Sequence, residues 1–269
     1  MSFRDLHQRG NPFVLANAWD VGSARMLAAL GAEAIATSSA AHAFTLGRPD
    51  GGLVTRDEAL EHAQALASAV SVPVSGDFEN GFGYAPEEVA ETVRLSAEVG
   101  LAGISIEDAA LPEDRAYGFD DAVERIRAAA SAARALPDDF VLVARADGIM
   151  NGHYDIEEAL RRIRAFDEAG ADCLYVPLPA TLDDLKRVIA ATDKPVNVLV
   201  AGPNYSKISR SDYAAMGAAR LSLGSALARM THGVIHEAAT AMFEDGDFSP
   251  LSRAMSGDIV DQLLAKGEC

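Results

Sequence analysis

The stretch Leu30-Gly31-Ala32-Glu33-Ala34 ends a helical pattern with a glycine and leads directly into a short apolar run. The same arrangement returns at Val99-Gly100-Leu101-Ala102-Gly103, Ala169-Gly170-Ala171-Asp172-Cys173 and Met216-Gly217-Ala218-Ala219-Arg220. A glycine here is typical of a helix that ends in a left-handed residue, and the small neighbours allow a tight turn into a strand. Four copies therefore indicate a chain built from repeated β/α units.

Around these junctions, short runs rich in Val, Ile and Leu alternate with Ala-rich amphipathic segments. The runs predict strands buried on both faces, at Phe13–Asn17, Ala34–Thr37, Val72–Asp77, Gly103–Glu107, Phe140–Arg145, Cys173–Pro177, Val196–Val200 and Arg220–Leu223. The amphipathic segments predict helices at Gly22–Leu30, Arg56–Ala69, Pro86–Val99, Asp120–Leu136, Ile156–Ala169, Leu182–Ala191, Ser209–Met216 and Ala226–Glu244. Eight such units in about 250 residues are typical of a (β/α)8 TIM barrel. A doubly wound open sheet is the alternative fold.

No Pro-, Gly- or Ser-rich linker divides the chain, which predicts a single barrel domain over residues 1–269. Residues 250–269 are predicted to form a C-terminal helical extension after the helix-breaking stretch 245–250. Its apolar residues repeat at near-helical spacing: Leu251, Met255, Ile259, Leu263 and Leu264. Because eight units already surround a barrel, we expect this helix to be exchanged with a neighbouring subunit of a homo-oligomer. Folding back over the same barrel is the alternative.

The 269 residues carry a formal net charge of −17, and 49% of them are hydrophobic. Such a surface repels phosphate groups, so neither nucleic acid nor an anionic membrane is an expected partner. No apolar run approaches the roughly 20 residues that span a bilayer, and residues 1–6 lack an apolar stretch of signal-peptide length. We therefore expect a cytoplasmic protein. A small anionic substrate remains compatible with this charge, because arginines and a metal in a pocket reverse the field locally.

The two cysteines, Cys173 and Cys269, are too few for a disulfide framework. Cys173 lies within an apolar run, residues 171–176, and is predicted to be a small core residue. Cys269 is the last residue, where a frayed end is expected.

Charged side chains end three neighbouring predicted strands, where a barrel carries its functional groups. Asp77 and Glu79 follow the third strand, Glu107 ends the fourth and Arg145 ends the fifth. Asp77 and Glu79 are two residues apart, so in an extended segment they face the same side. Clustered carboxylates without a histidine or thiol set favour a hard cation such as Mg²⁺. Capping of the next helix is the alternative role for any one of these acids.

The longest irregular stretch runs from Ser38 to Thr55, after the second predicted strand. Loops of this length in compact domains are commonly functional, so we predict that it contributes to the site. No Gly-x-Gly-x-x-Gly or Walker-type loop occurs, which argues against a nucleotide site.

At these residues the sequence resembles the isocitrate lyase/phosphoenolpyruvate mutase superfamily over nearly the whole chain. The resemblance is carried by Leu15-Ala16-Asn17-Ala18-Trp19-Asp20, Ile35-Ala36-Thr37-Ser38-Ser39-Ala40, Leu46-Gly47-Arg48-Pro49-Asp50, Asp77-Phe78-Glu79-Asn80-Gly81-Phe82-Gly83, Ile106-Glu107-Asp108 and Val143-Ala144-Arg145. The acidic pair before Gly-aromatic-Gly, together with the later Glu-Asp pair, is specific in combination, although each piece alone is weak.

The resemblance implies a homotetramer in which the last helix is exchanged between subunits. It implies Mg²⁺, or Mn²⁺ in its place, held by Asp77, Glu79 and Glu107, partly through water. It also implies roles in the pocket for residues matching the family motifs. Ser38, Ser39 and Ala40 would hold the carboxylate end of a 2-oxo acid, Asp50 would lie near the metal, and Arg145 would bind a carboxylate or phosphonate group. Asn197 and Asn204 are further pocket candidates.

Three departures from the family motifs place the chain in a divergent branch that lacks the lyase cysteine. The Lys-Lys-Cys-Gly-His loop of isocitrate and methylisocitrate lyases is missing, and neither cysteine follows the fourth strand. The mutase Glu-Asp-Lys motif is replaced by Glu107-Asp108-Ala109, and a family histidine near the end of strand six appears as Pro177. Candidates for the missing acid or its charge anchor are Glu113, Asp114, Arg115, Tyr117, His42 and His153.

These features predict a Mg²⁺-dependent lyase or decarboxylase that cleaves a C–C bond in a 2-oxo or 2-hydroxy di- or tricarboxylate through a metal-stabilised enolate. The predicted catalytic residues are Asp50, Glu107 and Arg145. The predicted substrate-binding residues are Ser38, Ser39, Ala40, Asp77, Arg145 and Asn197. Two alternatives stay open: a phosphonopyruvate-type enzyme acting on a C–P bond, and a 2-oxo acid binding protein without catalysis.

Overall fold

The computed structural model describes residues 2–268, which form a closed barrel of eight parallel strands in sequence order. The strands are β1 Phe13–Asn17, β2 Ala34–Ala36, β3 Val74–Asp77, β4 Gly103–Glu107, β5 Val141–Arg145, β6 Cys173–Tyr175, β7 Val196–Leu199 and β8 Arg220–Ser222. Strand β8 pairs with β1 and closes the cylinder. The predicted (β/α)8 barrel is confirmed, and the open sheet is wrong because no strand edge is left free.

Helices cover the outside of the barrel and follow its strands. They are α1 Val21–Ala29, α2 Ser39–Thr45, α3 Arg56–Ala67, α4 Pro86–Glu98, α5 Phe119–Arg134, α6 Gly148–Asn151, α7 Ile156–Ala169, α8 Leu182–Ala190, α9 Gly202–Tyr205, α10 Arg210–Met216, α11 Ala226–Thr240 and α12 Gly257–Lys266. The glycines of the repeated junction do end helices in the left-handed region, with φ of 107° at Gly170 and 93° at Gly217. The eight predicted helices are all present, with small differences at their ends.

The prediction of an irregular stretch from Ser38 to Thr55 was wrong in its first part, where α2 lies. The Ser38 hydroxyl accepts a hydrogen bond from the Ala41 N–H at 3.3 Å and so caps this helix. The helix after β8 is also shorter than predicted, because α11 ends at Thr240 and a π-helical turn, Ala241–Asp245, follows it.

The interior of the barrel is filled at its amino end and open at its carboxyl end. Phe3 lies below the strands, and its ring meets Phe13 edge to face with centroids 6.1 Å apart. Cys173 is buried in the same cluster, as predicted, and burial raises the pKa of its thiol to about 11. Cys269 lies outside the described residues. A cavity can therefore enter the barrel only from the carboxyl ends of the strands.

The C-terminal extension packs partly on its own barrel. Helix α12 contacts α1, and Arg25 Nη2 lies 3.0 Å from Glu268 Oε1. Towards its start, however, the extension leaves apolar side chains in water, since Leu251 is 52%, Met255 55% and Ile259 49% exposed. The last turns of the extension thus fold back on the same barrel, as the alternative predicted. The exchange between subunits stays a prediction. Across residues 2–268, none of the helices has the length and apolar character that a membrane span needs.

Candidate active site

The carboxyl ends of β3, β4 and β5 bring three predicted site residues to one side of the barrel mouth. Asp77, Glu107 and Arg145 are the last residues of these strands. The strand register pairs Glu107 with Arg145, so their side chains project from the same face of the sheet. Arg145 Nη2 lies 3.0 Å from Glu107 Oε2. The fold therefore places a buried ion pair where a barrel carries its chemistry.

The guanidinium of Arg145 is shared among three carboxylates. Its Nη1 donates to Asp77 Oδ1 at 2.7 Å, and its Nη2 donates to Asp147 Oδ2 at 2.6 Å, beside the contact with Glu107. Burial alone would lower the pKa of Arg145, but Asp147, Glu107 and Asp77 raise it well above its usual value. Arg145 is thus a fixed positive charge whose donors are already engaged.

The second oxygen of Asp77 is held by the start of α2. The N–H and the hydroxyl of Ser39 both donate to Asp77 Oδ2 at 3.0 Å. The backbone N–H of Asp77 donates to Thr37 Oγ1 at 2.8 Å. Each carboxylate oxygen of Asp77 therefore has a protein donor, and its orientation at the mouth is fixed.

Glu79 does not share the orientation of Asp77. Strand β3 ends at Asp77, and Glu79 has a φ of 44°, so the extended geometry assumed from the sequence is wrong at this point. The side chain is buried, and its Oε1 accepts a hydrogen bond from the Gly52 N–H at 3.1 Å. Burial, with the charges of Asp77 and Asp50, raises the pKa of Glu79 to about 7.

Other acids at the mouth also have raised pKa values. Burial raises the pKa of Glu107 well above its usual range despite the nearby Arg145, and it raises the pKa of Asp147 to about 6. Asp50 keeps an exposed surface, but the surrounding protein limits its hydration. This loss of hydration, together with the charge of Asp77, raises the pKa of Asp50. Burial is the first cause of each shift, and the charges of neighbouring carboxylates around the single guanidinium add to it.

A cavity of about 140 Å³ opens at this mouth and extends into the barrel. Six predicted site residues line it: Ser38, Ser39, Ala40, Asp50, Asp77 and Arg145. Glu79, Glu107 and Asn197 lie outside the lining. Polar residues that the sequence reasoning missed also line the cavity, namely Asn17, Thr37, Ser75, Ser105, Tyr175, Arg220, Ser222 and Ser225.

Asn197 acts behind the cavity wall. Its Oδ1 accepts a hydrogen bond from Arg220 Nε at 2.8 Å, and its Nδ2 donates to Ser222 Oγ at 2.9 Å. The side chain is buried, and both of its polar ends are occupied by groups that do line the cavity. Asn197 is therefore placed to orient two wall residues of the pocket.

The histidine candidates for the missing acid stand apart from the main cavity. His42 is buried and stacks on His62 with ring centroids 3.8 Å apart. Burial and His62 lower the pKa of His42 to about 4, so its ring is neutral near pH 7. His153 Nε2 lies 3.4 Å from Asp114 Oδ1, whose side chain is 99% exposed.

The remaining candidates also lie outside the cavity lining. Tyr117 is buried, and its hydroxyl accepts a hydrogen bond from Asn80 Nδ2 at 3.1 Å, which gives it a structural contact. Arg115 pairs with Glu113 on the surface after β4, with Nε and Oε2 2.5 Å apart. Asn204 lies exposed in the short helix α9.

The oxygen donors at the mouth suit a hydrated hard cation better than a fully protein-ligated one. Within residues 2–268, no three His, Cys, Asp or Glu side chains converge as a ready-made metal site. The acids are nevertheless all carboxylates, and burial raises the pKa of Asp50, Glu79 and Glu107, so a cation bound at the mouth would favour their charged forms. Mg²⁺ commonly uses one or two carboxylates and keeps several waters, so the donor set fits this ion.

The sequence and the fold match known proteins over most of the chain. The family model described as phosphoenolpyruvate phosphomutase matches residues 3–243. The chain belongs to the isocitrate lyase/phosphoenolpyruvate mutase superfamily. Its members are Mg²⁺-dependent lyases, mutases and hydrolases that act on 2-oxo acids and related acids. The resemblance inferred from the motifs is thereby confirmed.

Within this superfamily, the chain is 34% identical over 193 residues to 2,3-dimethylmalate lyase of Eubacterium barkeri, which covers 69% of this chain and 65% of that protein. It is also 34% identical to oxaloacetate decarboxylase of Paraburkholderia xenovorans, over 74% of this chain and 67% of that protein. Among solved structures, a protein of Burkholderia cenocepacia provisionally described as a lyase/mutase has a TM-score of 0.92 and 44% identity, over 98% of this chain and 94% of that one. These superfamily relatives include C–C lyases.

Proposed function

We propose that the chain cleaves a C–C bond in a 2-oxo or 2-hydroxy di- or tricarboxylate bound in the barrel cavity. The observation that carries this proposal is the rim of the cavity, where Asp77 and Asp50 stand beside the guanidinium of Arg145. The small volume of the cavity suits an organic acid of few atoms. Relatives named as a dimethylmalate lyase and an oxaloacetate decarboxylase act on acids of this kind.

We propose Mg²⁺ as the cofactor, with Mn²⁺ as a substitute. Asp77, Glu79 and Glu107 would hold it, mostly through water, because their oxygens do not converge on one point. When bound, the ion would supply a Lewis acid that polarises the 2-oxo or 2-hydroxy group of the substrate. Its charge would also offset the carboxylate excess at the mouth.

The chain's own residues would orient the acid and manage its protons. Ser38, Ser39 and Ala40 line the cavity at the start of α2 and would position the carboxylate end of the substrate. Ser39 also fixes the orientation of Asp77 through two hydrogen bonds. Arg145 is the charge next to which negative charge can develop during bond cleavage.

Asp50 is the acid or base that we propose for proton transfer. It lines the cavity, and its raised pKa brings its protonated form closer to neutral pH than that of an ordinary aspartate. Cys173 cannot take this role in the manner of the lyase cysteine, since it is buried in the barrel core. The surface acids Glu113 and Asp114 stand outside the cavity.

Turnover of oxaloacetate, 2-methylisocitrate and phosphonopyruvate, followed by NMR with and without Mg²⁺, tests the proposal. Metal-dependent cleavage of a carbon acid supports it. Turnover of phosphonopyruvate alone would replace it with C–P bond chemistry. Tight binding of oxalate without turnover of any of the three would replace it with a binding protein.

A further inference from the structure

Arg220 is a buried cation at the inner end of the cavity. It is the first residue of β8, it lines the cavity, and it is 3% exposed. Its Nε donates to Asn197 Oδ1, but its Nη1 is buried without a hydrogen-bond partner. No ion pair among residues 2–268 includes Arg220. Arg220 is therefore a buried guanidinium without a direct carboxylate partner among the described residues.

The other buried arginines of residues 2–268 have complete sets of partners. Arg145 pairs with three carboxylates, and Arg162 pairs with Asp108 at 2.9 Å and with Glu158 at 2.9 Å. Arg125 donates to backbone carbonyl oxygens, including that of Gly83 at 2.8 Å. A buried charge without such partners is costly. Arg220 thus differs from them in that it lines the cavity without a carboxylate partner.

The strand register places Arg220 in the same row of residues as Arg145 at the mouth. The Cα partners run from Arg145 to Tyr175, from Tyr175 to Asn197 and from Asn197 to Arg220, so the two arginines share one row around the barrel wall. The guanidinium of Arg145 lies 5.1 Å from the centre of the Tyr175 ring, which stands next to it in this row. The cavity consequently has an acidic rim, where Arg145 pairs with carboxylates, and a separate wall, where Arg220 has no carboxylate partner.

The size of the cavity limits what can reach Arg220. At about 10–15 Å³ for each water-sized site, its volume of about 140 Å³ holds roughly ten non-hydrogen atoms. A four-carbon diacid has about this size. Ser222, two residues after Arg220 on the same face of β8, adds a hydroxyl to the lining.

We infer that Arg220 binds the distal carboxylate of the substrate, so that the protein selects dicarboxylates over monocarboxylates of the same chain length. This inference rests on the proposed function, because it takes the other end of the acid to lie at the acidic rim. Asn197 and Ser222 act as positioning residues, since Asn197 holds both the Arg220 Nε and the Ser222 hydroxyl. Arg220 thereby becomes the residue that distinguishes diacids from monoacids at the proposed site.

The test compares two ligands that differ only in the distal carboxylate, namely malate and 2-hydroxybutyrate. Affinities of the full-length protein with saturating Mg²⁺ are measured by calorimetry. We expect the wild type to bind malate at least tenfold more tightly than 2-hydroxybutyrate. Arg220→Met should weaken malate binding by about 10- to 100-fold and leave 2-hydroxybutyrate within twofold, so that the preference disappears.

Two further variants distinguish a loss of specific binding from a folding defect. Arg220→Lys keeps the charge without the guanidinium geometry and should retain part of the preference for malate. Arg9→Met makes the same chemical change at an exposed arginine that donates to the carbonyls of Thr192 and Lys194, and it should leave both affinities unchanged. A folded Arg220→Met protein that retains the wild-type preference, or that loses affinity for both ligands equally, would overturn the inference. Failure of the wild type to bind either ligand would instead reject the proposed function.

Discussion

Arg145 Nη1 lies 2.7 Å from Asp77 Oδ1, and this ion pair joins β5 to β3 across the strand that separates them. The same guanidinium contacts Glu107 on the intervening strand β4. Three strand ends are thus connected by one cation at the rim of the cavity. The relationship explains how several acids can be buried near one another, because each shares the charge of Arg145.

Removing Asp77 should remove metal-dependent activity. We expect Asp77→Ala to lower Mg²⁺ affinity by about 10- to 100-fold and turnover by at least about 100-fold, measured by calorimetry and by steady-state kinetics. Asp114→Ala, at an acid whose side chain is 99% exposed, is the matched control and should behave as the wild type. Full activity after exhaustive chelation would contradict this expectation.

Replacing both thiols should leave catalysis intact. Cys173 is buried away from the mouth, and burial raises its thiol pKa to about 11, so it carries no thiolate near pH 7. A Cys173→Ala, Cys269→Ser variant should keep kcat within about twofold while losing about 1 kcal/mol of stability. A fall in kcat of several orders of magnitude, with an unchanged circular dichroism spectrum, would show that a thiol takes part in the reaction.

We propose that the uncovered apolar side chains of α11 and of the C-terminal extension bury themselves in a homotetramer. Met230 is 68%, Val234 59% and Ile235 62% exposed on α11, beside the exposed stripe that begins at Leu251. Contiguous apolar surface of this kind usually marks an interface. Deleting residues 250–269 should yield smaller species or aggregates in light scattering.

A point variant tests the same interface without truncation. Val234→Asp should dissociate the assembly, because a carboxylate cannot be buried unpaired. Leu30→Asp, at a residue that is 69% exposed after α1, is the control and should leave the mass unchanged. A monomeric full-length protein at micromolar concentration would refute the proposal.

The contribution of His7 to the free energy of unfolding should fall as the pH is lowered through the range in which free histidine titrates. Burial, together with the charges of Arg220 and Arg4, lowers the pKa of His7 to about 3. Between about pH 6.5 and 3 the unfolded chain therefore binds a proton that the folded protein does not, so the contribution is complete above pH 6.5 and is lost below it.

The magnitude of this effect is about 1.4 kcal/mol per pH unit for a single group. Urea denaturation at pH 7 and pH 5 should show that the unfolding free energy of the wild type falls relative to that of His7→Gln, which cannot be protonated at this position. An equal change in the two proteins would mean that His7 takes up a proton while the protein is folded.

The barrel could be predicted because its local signals are repeated. Four helix-ending glycines and eight apolar runs each report the same β/α unit, so an error in one unit leaves the fold unchanged. The error at residues 38–55 arose because α2 has a weak apolar pattern and depends on the Ser38 cap. Its position above β3 is a tertiary property that the local sequence does not contain.

The site could be predicted in part. Strand-end acids and Arg145 were found because barrel chemistry is placed at strand ends, and the motifs supplied Ser38, Ser39, Ala40 and Asp50. Asp147 was missed although it closely follows β5, since one further acid carries no distinctive spacing. Arg220 was missed because it begins its strand, yet a charged residue in an otherwise apolar barrel strand was a signal that could have found it.

The most direct test of the central claim is deuterium exchange into the methyl group of pyruvate in D₂O, followed by proton NMR. We propose that the protein and Mg²⁺ together favour negative charge on the carbon next to the carbonyl of a bound 2-oxo acid. At a pyruvate concentration that saturates binding, we expect exchange well above the rate of buffer with Mg²⁺ alone, falling to that rate after chelation and in Asp77→Ala. Exchange at the buffer rate with the wild-type protein, saturating pyruvate and saturating Mg²⁺, or rapid exchange that persists after chelation, would contradict this proposal.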